Sequence, residues 1–167
     1  MIDLEDKKHC MCKKYNNSQS ECLNEYTISE KGKTVKLEVK HKDETCSAIV
    51  IDQCIITDNN TKCDALFLFN SVTKKVSFLT ELKGAGDIPK AFRQLSYTKN
   101  GRDEYQTIIN KFKLIDNKKI IEKFVIISNG ILDKNEREKL ENEYKIRVTA
   151  VLHSEATTPV PNLRDYI

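Results

Sequence analysis

Through the middle of the chain, apolar and β-branched residues come in short runs separated by turn-forming residues. Ser47-Ala48-Ile49-Val50-Ile51-Asp52-Gln53-Cys54-Ile55-Ile56 predicts a first strand, Asp58-Asn59-Asn60 a turn, and Cys63–Phe69 a returning strand. Val76–Lys83 predicts a third. Asp87 then has the character of a helix N-cap with Pro89 in the first turn, and Ile88, Ala91, Phe92 and Leu95 have the spacing of a buried helical stripe. Glu122–Ser128 predicts a short buried strand ended by Asn129-Gly130, Asp133–Tyr144 a polar helix, and Ile146–Leu152 a last strand. The order β-β-β-α-β-α-β predicts an α/β (α+β) fold, a mixed central β-sheet flanked by helices.

The ends are less regular. Cys22–Ile28 reads as a short helix, Lys31-Gly32-Lys33 as a turn, and the alternating Thr34–Lys40 as an extra strand. Thr157-Thr158-Pro159-Val160-Pro161 breaks regular structure and predicts an extended segment on the surface or against a partner. Residues 1–45 are thus an N-terminal segment, and 46–167 a core with which it forms one compact domain.

Two acidic positions stand out. Asp64 opens Ala65-Leu66-Phe67-Leu68-Phe69, and Glu81 closes Val76-Ser77-Phe78-Leu79-Thr80, so antiparallel pairing about the Asn70–Lys75 turn brings both carboxylates to one end of a sheet. Side chains alternate along a strand, so Glu81 and Lys83 share a face while Leu82 points the other way. Two carboxylates beside an amine suit Mg²⁺, which takes oxygen ligands and is commonly bound through one or two carboxylates. The alternative is a solvated Glu-Lys pair at the end of an edge strand. Gly84-Ala85-Gly86 lacks the Lys-Ser/Thr of a phosphate-binding loop and reads as a sharp turn into the helix. Asp52 is either an extra carboxylate or a polar residue on an exposed strand face.

At these residues the chain resembles the PD-(D/E)XK nuclease superfamily, the fold of many restriction endonucleases, Holliday-junction resolvases and recombination exonucleases. Asp64 and Glu81-Leu82-Lys83 match the motif, and Cys63 stands where its name has proline, a position outside the chemistry. The resemblance covers about residues 46 to 152 and implies a restriction endonuclease-like core. It implies that Asp64 and Glu81 hold Mg²⁺ or Mn²⁺, with the Leu82 carbonyl completing the shell, and that Lys83 orients or deprotonates the attacking water. It also implies that Gln94, on the following helix, contacts water or phosphate, and that Tyr97 extends it in a Gln-x-x-Tyr spacing one residue short of Gln-x-x-x-Tyr. Some such nucleases carry another glutamate on the helix before the sheet, here Glu21 or Glu25. The implied activity is metal-dependent hydrolysis of phosphodiester bonds of DNA, in restriction, repair or defence. The alternatives are an RNA nuclease and a catalytically silent nucleic-acid or protein-binding module of the same fold.

Lys90, Arg93, Gln94 and Tyr97 lie off the apolar stripe, on a face that a nucleic-acid backbone can meet; a solvated helix face carries the same residue types. The net charge of +3 is compatible with nucleic acid without requiring it. No apolar run approaches the ~20 residues needed to span a bilayer. The N-terminus is too acidic for a signal peptide, so a cytoplasmic protein with no membrane partner is expected. Its six cysteines are then expected as free thiols or metal ligands. His9, Cys10, Cys12 and Cys22 offer a set for Zn²⁺, though not at a standard finger spacing, and Cys46, Cys54 and Cys63 are expected to pack as small hydrophobes. Cutting both strands of a duplex would call for a homodimer or a larger nuclease complex.

Overall fold

The computed structural model describes residues 2–167. After a short 3-10 helix (Glu5–Cys10) comes a three-stranded antiparallel sheet of β1 (Cys22–Asn24), β2 (Thr27–Glu30) and β3 (Lys33–Lys36). The helix expected over Cys22–Ile28 is therefore a hairpin. Asn24 Oδ1 accepts the Tyr26 amide at 2.9 Å and closes the turn, and the β-branched Thr27 and Ile28 continue as strand. Between β2 and β3, Lys31 and Gly32 have φ of 48° and 75°, the left-handed conformation a two-residue hairpin loop requires. The extra strand expected over Thr34–Lys40 is present in shorter form as β3.

The central sheet has five strands in chain order: β4 (Thr45–Val50), β5 (Ala65–Asn70), β6 (Lys75–Lys83), β7 (Ile121–Ser128) and β8 (Ala150–His153). The first two pairings are antiparallel and the last two parallel, so the sheet is mixed. The first strand stops at Val50 instead of running to Ile56. The backbone bends there, with Gln53 at φ 56° and the Ile56 amide donating back to the Ile51 carbonyl at 3.0 Å. The last strand is likewise shorter, with Ile146 and Val148 buried in the approach to it.

Three helices complete the fold: α1 (Ile88–Gly101), α2 (Asp103–Lys113) and α3 (Lys134–Tyr144). In α1 the expected stripe Ile88, Ala91, Phe92 and Leu95 is buried. The helix α2 is absent from the expected order, yet its buried Tyr105, Ile108, Ile109 and Phe112 follow the same helical spacing. Every residue of β6 up to Leu82 is buried, which requires cover on both faces of the sheet. The N-terminal sheet, through β2 and β3, and α1 provide that cover. One apolar cluster accordingly runs from Ile2 to Leu163 through both the N-terminal segment and the core.

The turn out of β6 contains Gly84 and Gly86, but the extended Gly84 backbone (φ −67°, ψ 164°) is open to any residue. Glycine is needed instead at Gly130, where a Cβ would stand 2.8 Å from the Ala85 Cα. The loops after β6 and β7 can meet only because position 130 has no side chain. The Thr157–Pro161 tail folds back on its own chain. The Pro161 carbonyl accepts the Lys36 amide at 3.1 Å, Leu163 is buried, and Arg164 forms two 2.6 Å contacts with Glu44.

Candidate active site

The β5–β6 register pairs Ala65 with Thr80, which puts Asp64 beside Glu81 at one end of the sheet. Asp64 Oδ2 accepts the Leu82 amide at 2.6 Å. Glu81 and Lys83 share a strand face, with Lys83 Nζ 2.8 Å from Glu81 Oε1. β6 is the middle strand and Glu81 is fully buried, which removes the reading of a solvated pair at a sheet edge.

A third carboxylate joins them from an unexpected place. Glu30, the last residue of β2, is close enough to the Asp64 carboxyl to perturb its ionisation and forms a 2.9 Å ion pair with Lys31. The N-terminal glutamate at the site is thus Glu30 on a hairpin, not Glu21 or Glu25 on a helix. Glu25 instead lines an apolar cavity beside Tyr26 and Cys46. Glu30 had a legible signal, since it ends a β-branched run at a turn, as Glu81 ends its own.

Burial dominates the electrostatics of this cluster. It pushes Asp64 well above the usual carboxylate range, helped by the negative charges of Glu81 and Glu30 and opposed by the Leu82 amide. It pushes Glu81 up to about 7 against the opposing pull of the Lys83 ammonium. Burial alone would also raise Glu30, but hydrogen bonds from Asp64 and Lys31 outweigh it and hold that carboxyl low. For Lys83, desolvation works against the charge, and Glu81, Asp64 and Glu30 more than restore it. The amine is therefore an ammonium in the metal-free cluster.

Both carboxylate oxygens of Glu81 are buried; the Lys83 ammonium stands by Oε1, and Oε2 has no hydrogen-bond donor. Buried acceptors without partners cost about 1–3 kcal/mol each, more when charged. An all-oxygen donor set with an orphaned acceptor fits a hard divalent cation. Asp64 and Glu81 are placed to hold it, the Leu82 carbonyl lies in the backbone between Glu81 and Lys83, and Glu30 stands behind Asp64.

On α1, the Gln94 side-chain amide donates to the Lys62 carbonyl at 2.6 Å, two residues before Asp64. Thr98 Oγ1 accepts the Cys63 amide at 2.9 Å. Both bonds tie the helix to the strand entry that presents the first carboxylate. Cys63 is fully buried, and burial first, then the Glu81 charge, pushes its thiol up, so it stays neutral. Lys90, Arg93 and Gln94 line one polar cleft with Asp52, Asn60 and Lys62. Tyr97, 44% exposed, is not among the cleft residues; its ring lies 3.7 Å from where a Gly101 Cβ would stand. Asp52 forms an ion pair with Lys62 at 3.2 Å.

The expected zinc set is not assembled. Cys10 is bonded to Cys54 and Cys12 to Cys22, so His9, Cys10, Cys12 and Cys22 present no thiolates to a metal. Among the described residues, His9, Cys10 and Cys54 form the one group of three His, Cys, Asp or Glu ligand atoms all within 4.8 Å of one another. Cys46 and Cys63 are buried free thiols as expected, whereas Cys54 is crosslinked. Among the described residues, no helix is long and apolar enough to cross a membrane.

No family model, curated protein or solved structure matches this chain.

Proposed function

We propose that this protein is a divalent-metal-dependent nuclease of the PD-(D/E)XK type that hydrolyses phosphodiester bonds of DNA on a restriction endonuclease-like core. The observation that carries the reading is the meeting of Asp64 with the Glu81-Leu82-Lys83 strand end, where a fully buried glutamate meets the Lys83 ammonium through Oε1 and leaves Oε2 without a hydrogen-bond donor. A structural ion pair does not call for a second and third carboxylate beside it.

A Mg²⁺ or Mn²⁺ ion held by Asp64 and Glu81 would polarise the scissile phosphoryl group and lower the pKa of an attacking water. The chain's own residues supply the rest. Lys83, kept cationic by its carboxylate neighbours, orients the water and offsets the charge that grows on the phosphoryl oxygens. The Leu82 amide holds Asp64 in place, and Glu30 fixes the far side of that carboxyl. Lys90 and Arg93 meet the nucleic-acid backbone along α1.

The test is incubation of the purified chain with linear, circular and single-stranded DNA and with RNA, in Mg²⁺, Mn²⁺ or EDTA. Metal-dependent DNA cleavage that disappears in Asp64→Asn supports the reading. Binding without cleavage in either metal makes the chain a binding module, and preference for RNA reassigns the substrate. Concerted cutting of both duplex strands would require two copies of the site, which light scattering at micromolar concentration reads directly.

A further inference from the structure

The turn after β4, the loop before β5 and the outward face of α1 enclose a polar cleft of about 310 Å³. Three cations, Lys62, Lys90 and Arg93, line it against a single carboxylate, Asp52. Lys62 forms the floor and is only 6% exposed; its ammonium is held by the Asp58 carbonyl and by Asp52 at 3.2 Å. Lys90 and Arg93 are exposed at the cleft and have no ion-pair partner among the described residues. Four carboxamides and Thr61 fill the rest of the wall. Gln94 Oε1 is buried without a hydrogen-bond partner, because the other end of its amide is committed to the Lys62 carbonyl.

Size, charge and hydrogen bonding point to one kind of ligand. The cleft is at the lower end of small-molecule pocket volumes, suited to a single nucleotide. Once Asp52 is set against Lys62, two unpaired cations remain at the cleft. Together they match a phosphomonoester, which carries roughly −1.5 to −2 charges at neutral pH, better than a singly charged diester. An orphaned amide oxygen calls for a donor, and the exocyclic amines of adenine, cytosine and guanine supply one. Gln94 also connects the cleft to the cluster, since its amide grips the residue that leads into Cys63-Asp64.

We propose that this cleft binds a terminal nucleotide bearing a phosphomonoester, seating a phosphorylated nucleic-acid end next to the Asp64–Glu81 cluster. Lys90 and Arg93 take the phosphate, and Gln94 with Asn60 reads the base edge. The assignment rests on the nuclease reading for its biological sense, and it makes the chain an enzyme that engages phosphorylated ends.

The experiment is calorimetric titration of the full chain in EDTA with deoxyadenosine 5′-monophosphate, deoxyadenosine 3′-monophosphate, deoxyadenosine and inorganic phosphate. It is run on the unmodified protein, on Asp64→Asn and on the double variant Lys90→Ala/Arg93→Ala. Both altered positions of the double variant are exposed, and its melting curve confirms folding. The expected result is a monophosphate bound at least about tenfold more tightly than the nucleoside, a preference kept in Asp64→Asn and lost in the double variant. The tighter of the two monophosphates identifies the end that is read. Equal binding of nucleotide and nucleoside overturns the proposal, as does full affinity in the double variant. Because no metal is present, these outcomes are independent of cleavage. Lost nucleotide binding with Asp64-dependent cleavage intact refutes the cleft alone, and retained binding without cleavage in any metal refutes the nuclease alone.

Discussion

Asp64 and Leu82 are joined by a 2.6 Å hydrogen bond from the Leu82 amide to the Asp64 carboxylate, so the backbone of the Glu81-Leu82-Lys83 segment itself positions the other acid. Asp64→Ala or Glu81→Ala should therefore reduce cleavage to background while the cooperative unfolding transition is kept. Glu81→Ala should leave the melting temperature unchanged or raised, because burial disfavours the Glu81 charge by more than its one ion pair with Lys83 restores. Cleavage assays paired with calorimetric melts check both halves, and activity retained in Asp64→Ala sinks the assignment.

Stability of the metal-free protein should depend on pH in a defined direction. Asp64 and Glu81 are raised in the folded state, Glu81 to about 7, against roughly 3.9 and 4.3 for unfolded Asp and Glu. The native state then holds protons that the unfolded chain releases, so stability falls as pH rises from about 4 through 7 for Glu81 and on to about 10 for Asp64. Urea titrations in EDTA should show this decline, Asp64→Asn should flatten it, and Mg²⁺ should oppose it at neutral pH by binding the native state.

Lys83→Ala should separate chemistry from binding. An ammonium that acts on the phosphoryl group or the attacking water is worth about 10²–10⁴-fold in the chemical step. Single-turnover rates should fall by that order, with DNA affinity changed by less than about threefold. A loss confined to affinity would make Lys83 a phosphate contact only.

Glu30→Gln should leave cleavage detectable and raise the Mg²⁺ concentration required for half-maximal rate by about 10–100-fold, the usual effect of removing a partner that orients a ligand. Metal titration of the cleavage rate reads this directly. Glu25→Gln, on the apolar cavity, should leave the titration unmoved.

The two disulfides span 44 and 10 residues, and chain-entropy arguments give about 4 and 3 kcal/mol for crosslinks of those separations. Reduction should lower the melting temperature. It should also raise the metal requirement towards that of Glu30→Gln, since both crosslinks secure the N-terminal segment that carries Glu30. Melting curves and metal titrations with and without a thiol reductant test the pair of effects.

Local pattern determined much of this protein. Alternation and turn residues specified β5 and β6 and their antiparallel return, and that pairing by itself brought Asp64, Glu81 and Lys83 to one sheet end, because register and side-chain alternation are backbone properties. The apolar stripe of α1 was equally plain, and that of α2 was written at the same spacing in Tyr105, Ile108, Ile109 and Phe112.

Other features depended on contacts between distant segments. Glu30 reaches Asp64 only because a hairpin folds over the central sheet, and no periodicity in Cys22–Ile28 separates that hairpin from a short helix. The cysteine pairings are set by which Cα atoms approach within about 5.5 Å, a distance unrelated to their spacing along the chain. The rise of the Asp64 and Glu81 carboxyls likewise comes from burial beneath two layers of structure. Sequence placed the chemical groups along strands and helices; the tertiary structure decided which of them share a low-dielectric space, because desolvation and long-range proximity exist only once the layers have packed.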